Sequence, residues 1–209
     1  MPKVTFFNLP DEKRNKLMEA AEKEFSRVPL SQASISNIVK SACVARGSFY
    51  QYFENKEDAF YYLLKLQTEK RRGYFFSTLE ENDGDIFIAI ERLFQMLLAD
   101  LSNEDNLKFL QNALMNVTHE IEDSFTGLFI GQKPVGGTIE GSIDRISGLI
   151  DSSKLNITGD QEFFHVMQIL TSVTFRNLVD KFSRNLSNEE AKENFRIEME
   201  LLRKGLYKS

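Results

Sequence analysis

Tryptophan is absent, cysteine occurs once and histidine twice. Each scarcity excludes something. A lone thiol, Cys43, forbids an internal disulfide and fits a reducing compartment. One cysteine with His119 and His165 falls short of the four N or S ligands of a dedicated zinc cage, so no metal and no other cofactor is expected. Four prolines and eleven glycines in 209 residues exclude a collagen-like or Pro/Gly-rich chain. Apolar runs are only a few residues long, against the ~20 needed to cross a bilayer. The opening residues, Met1 to Thr5, lack the apolar core of an export signal. A cytoplasmic protein without a membrane segment is the expectation.

Hydrophobic residues make up 42% of the chain and charged ones 27%, enough to bury a core. The net charge of -5 hides an asymmetry. Residues 1–56 carry nine Lys/Arg against six Asp/Glu, and the remainder carries 17 against 25. A basic head on an acidic body suits a modular reader of DNA, with one face attracting phosphate and the rest repelled by it.

Apolar spacing is helical almost throughout, which predicts an all-α fold. Pro10, Asp11 and Glu12 form a favourable first turn, and Leu17, Ala21 and Phe25 follow at four-residue intervals. Ser34 stands as N-cap before the stripe Ile35, Ile38, Val39, Ala42. After a break at Cys43-Val44, a short helix over 45–53 buries Phe49 and Phe53. Asn55 caps a long helix over about 56–79. Further stripes predict helices near 86–101, 107–117, 121–129, 139–150, 160–184 and 188–206. The last opens with the capping-box pattern Ser187-Asn188-Glu189-Glu190. No strand alternation, repeat or low-complexity tract is present.

The chemistry concentrates in residues 34–56. Two short helices with a break of about three residues make a helix-turn-helix. The outward face of the second helix carries Arg46, Gly47, Ser48, Tyr50, Gln51 and Tyr52. Arginine donates two bonds to a guanine edge, and glutamine bonds an adenine edge. Gly47 removes a side chain where the helix start must come close to a duplex. Tyr50 and Tyr52 bond phosphates while their rings brace the helix. Lys56 neutralises a phosphate, and Ser34 offers a hydroxyl and backbone N–H groups to another.

This stretch resembles the DNA-binding head of the TetR (tetracycline-repressor-like) family of transcriptional regulators. The match runs through Leu17, Ala20, Ala21 and Phe25, then Ser34, Ile35, Ile38, Val39 and Ala42. It is densest over Val44 to Phe53 and continues through Asn55 to Asp58. The resemblance is specific over about residues 9–60 and architectural beyond them. It implies a three-helix DNA-binding domain over 1–57 and a helical ligand-binding and dimerisation domain over 58–209. It implies base contacts from Arg46, Gly47 and Gln51, and backbone contacts from Ser34, Ser48, Tyr50, Tyr52 and Lys56. Cys43 departs from the family's usual turn glycine. A non-glycine there either avoids a left-handed backbone or accepts a cost of about 1 kcal/mol. The residue itself reads as a small buried hydrophobe, with a redox-sensing thiol as the sharper alternative.

The resemblance also implies a small-molecule pocket in the second domain. Phe94, Phe109, Met115, His119, Phe125 and Phe129 are the candidates, and His119 carries a hydrogen-bonding ring toward a ligand. His165 reads as a surface or interface residue. The last two helices are implied to pair with a second copy as a four-helix bundle through Phe164, Met167, Leu178, Phe182, Phe195, Met199 and Leu202. A dimer also answers a physical need, because one short reading helix makes few base contacts. The function that follows is a dimeric, ligand-responsive repressor of a palindromic operator in double-stranded DNA, released by a small apolar or amphipathic effector. Two other readings compete. A helical adaptor explains the body but not the donors on residues 46–52. An all-α enzyme finds only the acidic cluster Glu120, Glu122, Asp123, without a nucleophile–base pair, so no catalysis is expected.

Overall fold

The computed structural model describes residues 1–100, 104–114 and 146–206, without the side chains of 104–107. Among these residues there is no β-strand, and the structure is a succession of α-helices. They are α1 (Val4–Phe7), α2 (Asp11–Arg27), α3 (Ile35–Ser41), α4 (Arg46–Tyr52), α5 (Lys56–Glu81), α6 (Ile86–Asp100), α7 (Glu104–Leu114), α8 (Asp160–Ser183) and α9 (Asn188–Leu206). The helix expected over 121–129, and most of that over 139–150, lie outside the described residues. No described helix is long and apolar enough to cross a membrane, and no described group of three His, Cys, Asp or Glu side chains could hold a metal ion.

The described residues form two compact units. The first holds residues 1–67 and α7. Its core is aromatic: Phe6, Phe25, Phe49, Phe53, Phe60 and Phe109 are all at most 2% exposed. Phe25 meets Phe60 edge-on at 5.3 Å, and Phe60 meets Phe109 at 5.4 Å. Helix α7 packs on α2, and Asn112 Nδ2 donates to the carbonyls of Phe25 and Ser26 at 2.9 and 3.2 Å, closing the end of α2.

Several starts and stops follow from capping chemistry. Asn55 Oδ1 accepts the Asp58 N–H at 2.8 Å, so Asn55 caps α5. At the head of α9, the Glu190 N–H donates to Ser187 Oγ at 3.2 Å, while Glu190 Oε2 accepts the Ser187 N–H at 2.8 Å, a reciprocal capping box. Ser34 differs from expectation. It stands at the N-cap of α3 but makes no side-chain cap bond. Its backbone N–H instead donates to Glu24 Oε1 at 2.9 Å.

The second unit holds α5 beyond Gln67, α6 to Ala99, and the described residues from Ile146 on. Its core draws Phe87, Ile90, Leu93, Phe94 and Leu97 from α6, with Phe163, Met167, Leu170 and Leu178 from α8 and Phe195 and Met199 from α9. Helices α8 and α9 pack on each other. Gly84 (φ +69°) makes the turn from α5 to α6, and a Cβ there would stand 2.5 Å from the Asp151 nitrogen. Only glycine combines that backbone with that approach.

Candidate nucleic-acid interface

The candidate surface is built on α2, α3 and α4. The buried carboxylate of Glu24 fixes α2 to the start of α3. It accepts two bonds from Arg27 at 2.8 and 2.9 Å, one from the Ser34 N–H and one from Asn37 Nδ2 at 3.1 Å. The Arg27 guanidinium, with help from these N–H groups, holds the Glu24 carboxyl below its ordinary range. Between α3 and α4, the Val44 N–H donates to the Val39 carbonyl at 3.0 Å, and Cys43 takes a left-handed backbone with φ +56°. Cys43 therefore accepts the strained conformation. It is also exposed, so the expectation of a buried hydrophobe is corrected: its Cβ leaves the turn on the solvent side, away from the helix contacts.

Helix α4 presents its residues as a short, two-sided element. Phe49 is fully buried and Phe53 beside it likewise. Arg46, Gly47, Tyr50 and Gln51 are exposed, and Ser48 and Tyr52 are half-buried. Arg46 does not hang free. One terminal guanidinium nitrogen donates to Ser36 Oγ on α3 at 2.8 Å, which orients the group along the α3–α4 surface. A Cβ built on Gly47 meets nothing within 4 Å. The interior therefore gives no reason for a glycine there, although glycine weakens a helix by up to about 1 kcal/mol relative to alanine. Lys56 is half-buried, and its ammonium donates to the Ser31 and Ala33 carbonyls at 2.9 and 3.1 Å. That leaves one of its three protons for an outside acceptor. Ser34, Lys56 and the ends of α3 and α4 thus belong to one connected surface of the first unit.

Sequence reasoning missed the N-terminal segment. Phe6 of α1 is buried against Phe53 at 5.0 Å and Tyr62 at 5.2 Å. Around it, the Lys3 N–H donates to the Tyr52 carbonyl at 2.8 Å, Lys3 Nζ to the Tyr50 carbonyl at 2.9 Å, and Thr5 Oγ1 to the Gln51 carbonyl. The adjacent aromatic pair Phe6-Phe7 in a mostly apolar N-terminus was the available signal. Ser36 and Glu24 were missed as well, because a bond between helices has no signature in spacing.

Of the candidate pocket residues, two lie among the described residues, each in a different unit. Phe94 lies in the second unit, buried, with its ring on Phe195. Phe109 belongs to the core of the first unit against Phe60. Phe109 thus contributes to the core of the first unit. Met115, His119, Phe125 and Phe129 lie outside the described residues, as does the cluster Glu120, Glu122, Asp123. In the second unit, an open groove of about 330 Å³ runs along α6 and α9, lined by Glu91, Phe94, Gln95, Lys192, Phe195 and Arg196 among others.

The candidate pairing residues differ in their burial within the single chain. Met167, Leu178, Phe195 and Met199 are each at most 3% exposed within the single chain, so they fill its own core. Phe164, Phe182 and Leu202 are half-buried. The apolar side chains that α8 and α9 expose are Ile169 at 44%, Ile197 at 44% and Leu201 at 64%. His165 is exposed on α8.

Comparison with known proteins places these features. Residues 17–61 match a model described as bacterial regulatory proteins of the tetR family. Residues 85–206 match one described as the tetracyclin repressor-like C-terminal domain. A relative from Bacillus subtilis (strain 168), the uncharacterized HTH-type transcriptional regulator YdgC, is 35% identical over 96 residues. That match covers 43% of this chain and 49% of the relative, so the chain spans about half the length of the curated relative it matches. Among solved structures, the fatty acid degradation regulator FadR from Bacillus halodurans aligns with a TM-score of 0.63 at 18% identity, over 92% of this chain and 98% of that one. SmeT, the repressor of the Stenotrophomonas maltophilia multidrug efflux pump SmeDEF, aligns with a TM-score of 0.62 at 16% identity, over 95% and 94%. At these identities the likeness is one of fold.

Proposed function

Because this chain belongs to the TetR family of transcriptional regulators, with a helix-turn-helix DNA-binding head, we propose that it acts as a dimeric repressor whose α4 reads the major groove of a palindromic operator and which an apolar or amphipathic effector releases. The observation that carries this reading is α4 itself. An element of seven residues puts Arg46, Tyr50 and Gln51 on its open side, next to a glycine that no internal neighbour requires. Arg46 and Gln51 read bases. Ser34, Ser48, Tyr50, Tyr52 and the spare proton of Lys56 hold phosphates and set the register.

A second copy covers the exposed Ile169, Ile197 and Leu201. All three are large apolar side chains on the mutually packed α8 and α9, and reading a palindromic operator requires two α4 helices one DNA turn apart, roughly 34–36 Å. The phenylalanine-rich interior of the second unit supports an apolar or amphipathic effector. Helix α5 belongs to the first unit at its start and to the second at its end. An effector that prefers one setting of α5 would alter the spacing of the reading helices, with a coupling of about 1–3 kcal/mol felt equally by DNA and effector.

The test begins with a duplex enriched by the full-length protein from a random library. Arg46→Ala should weaken binding to that duplex by about 1–3 kcal/mol and relax preference at one base position per half-site. Tyr50→Ala should weaken enriched and scrambled duplexes alike. Unchanged preference in Arg46→Ala removes Arg46 as a base reader. A compound that binds the dimer and leaves duplex affinity untouched refutes the release mechanism.

A further inference from the structure

The last four carbonyls of any α-helix lack partners inside the helix. In α4 these belong to Phe49, Tyr50, Gln51 and Tyr52. The Phe49 carbonyl accepts the N–H of Phe53 at 2.9 Å. The other three are all taken by the N-terminal segment, through Lys3 Nζ, Thr5 Oγ1 and the Lys3 N–H. The Lys3 ammonium also brings a positive charge to the negative end of the helix dipole. Phe6, sealed among Phe7, Phe53 and Tyr62, anchors the segment so that these donors stay in place.

From this accounting we infer that residues 3–6 are the C-terminal cap of the reading helix, and that Lys3 and Thr5 are positioning residues for DNA recognition. The inference rests on the reading of α4 as the groove helix and adds a device outside the helix-turn-helix. A seven-residue helix is too short to hold its own last turn. Tyr50, Gln51 and Tyr52, three of the seven proposed contact residues, lie in that turn. Their carbonyls are fixed from behind by Lys3 and Thr5, so their side chains meet a duplex already in register. The N-terminal amine extends the same clasp by pairing with Asp58 at the start of α5.

The double variant Lys3→Met, Thr5→Val removes both side-chain donors and keeps Phe6. In the free protein, hydrogen exchange should quicken at the amides of residues 50–53 and stay slow in α2 and α3. On DNA, preference for the library-enriched duplex over a scrambled one should fall about tenfold, with the salt dependence of binding unchanged. Lys3→Arg, Thr5→Ser should restore both readouts. Unaltered exchange at 50–53 overturns the capping role, whatever the DNA result. A uniform loss of affinity with a salt slope shallower by about one per head would make Lys3 a direct phosphate contact and overturn its positioning role. If wild-type protein enriches no duplex, the DNA reading fails together with the recognition role, while the exchange result still decides the cap.

Discussion

A side chain at position 43 sits on a left-handed backbone, φ +56°, in the turn before α4. Such a conformation costs an ordinary residue about 1 kcal/mol, which a glycine avoids at some expense in unfolded-state entropy. Cys43→Gly should therefore raise stability by up to about 1 kcal/mol, read as a higher midpoint in urea or heat. Gly47 makes the opposite case. With nothing within 4 Å of its would-be Cβ, Gly47→Ala should strengthen α4 and raise the thermal midpoint. The same methyl group should lower DNA affinity in an anisotropy titration, because it projects toward the approaching duplex. A rise in both stability and affinity would show that glycine serves no approach there. Residue identities in α4 were legible in the sequence because donors on so short a helix are unusual. The bond from Arg46 to Ser36 was not, since it depends on how two helices lie against each other.

At the scale of the elements, the link between α2 and α3 is sensitive to acid. Glu24 is buried, and its carboxylate is bonded by Arg27, Ser34 and Asn37, which lowers its proton affinity in the folded state. The stabilisation it gives is present above the ordinary carboxylate value of 4.5 and fades as pH falls through the lower folded-state value. Glu24→Gln should cost about 1–3 kcal/mol at neutral pH. The difference between wild type and variant should shrink as pH falls through the lowered folded-state value, measured by urea titration at a series of pH values. Helix boundaries came through the sequence well: α9 spans Asn188–Leu206, and α5 starts behind Asn55 as its cap pattern indicates. Helix α1 did not, because four residues are shorter than one period of any useful stripe. Ser34 shows the limit of a cap signature. The residue type and position are right, yet the hydroxyl makes no cap bond, and Glu24 takes the neighbouring N–H from outside the helix.

For the molecule as a whole, the proposed pairing with a second copy depends on which face of α8 and α9 stays open. Periodicity identifies an apolar stripe but not what covers it. Met167, Leu178, Phe195 and Met199 proved to be the chain's own core, leaving Ile169, Ile197 and Leu201 outside. Leu201→Glu should leave the far-UV spectrum of the protomer intact. It should halve the mass in analytical ultracentrifugation and, with it, reduce operator affinity well below that of the paired protein. Met199→Ala should instead destabilise the protomer by about 2–5 kcal/mol. A dimer that survives Leu201→Glu would move the interface elsewhere.

The clasp at residues 3–6 has a consequence for how the protein is made. A ribosome releases Lys3, Thr5 and Phe6 first, but their partners at Tyr50 to Phe53 and Tyr62 emerge some fifty residues later. The contacts of α2 with α3 are local and can form while synthesis continues, although α2 also awaits α7. The reading helix cannot be locked until Tyr62 has cleared the exit tunnel. Residues 3–6 thus engage α4 only after the whole helix-turn-helix has been made, and on the proposed reading a nascent head gains its discrimination between sequences no earlier than that moment.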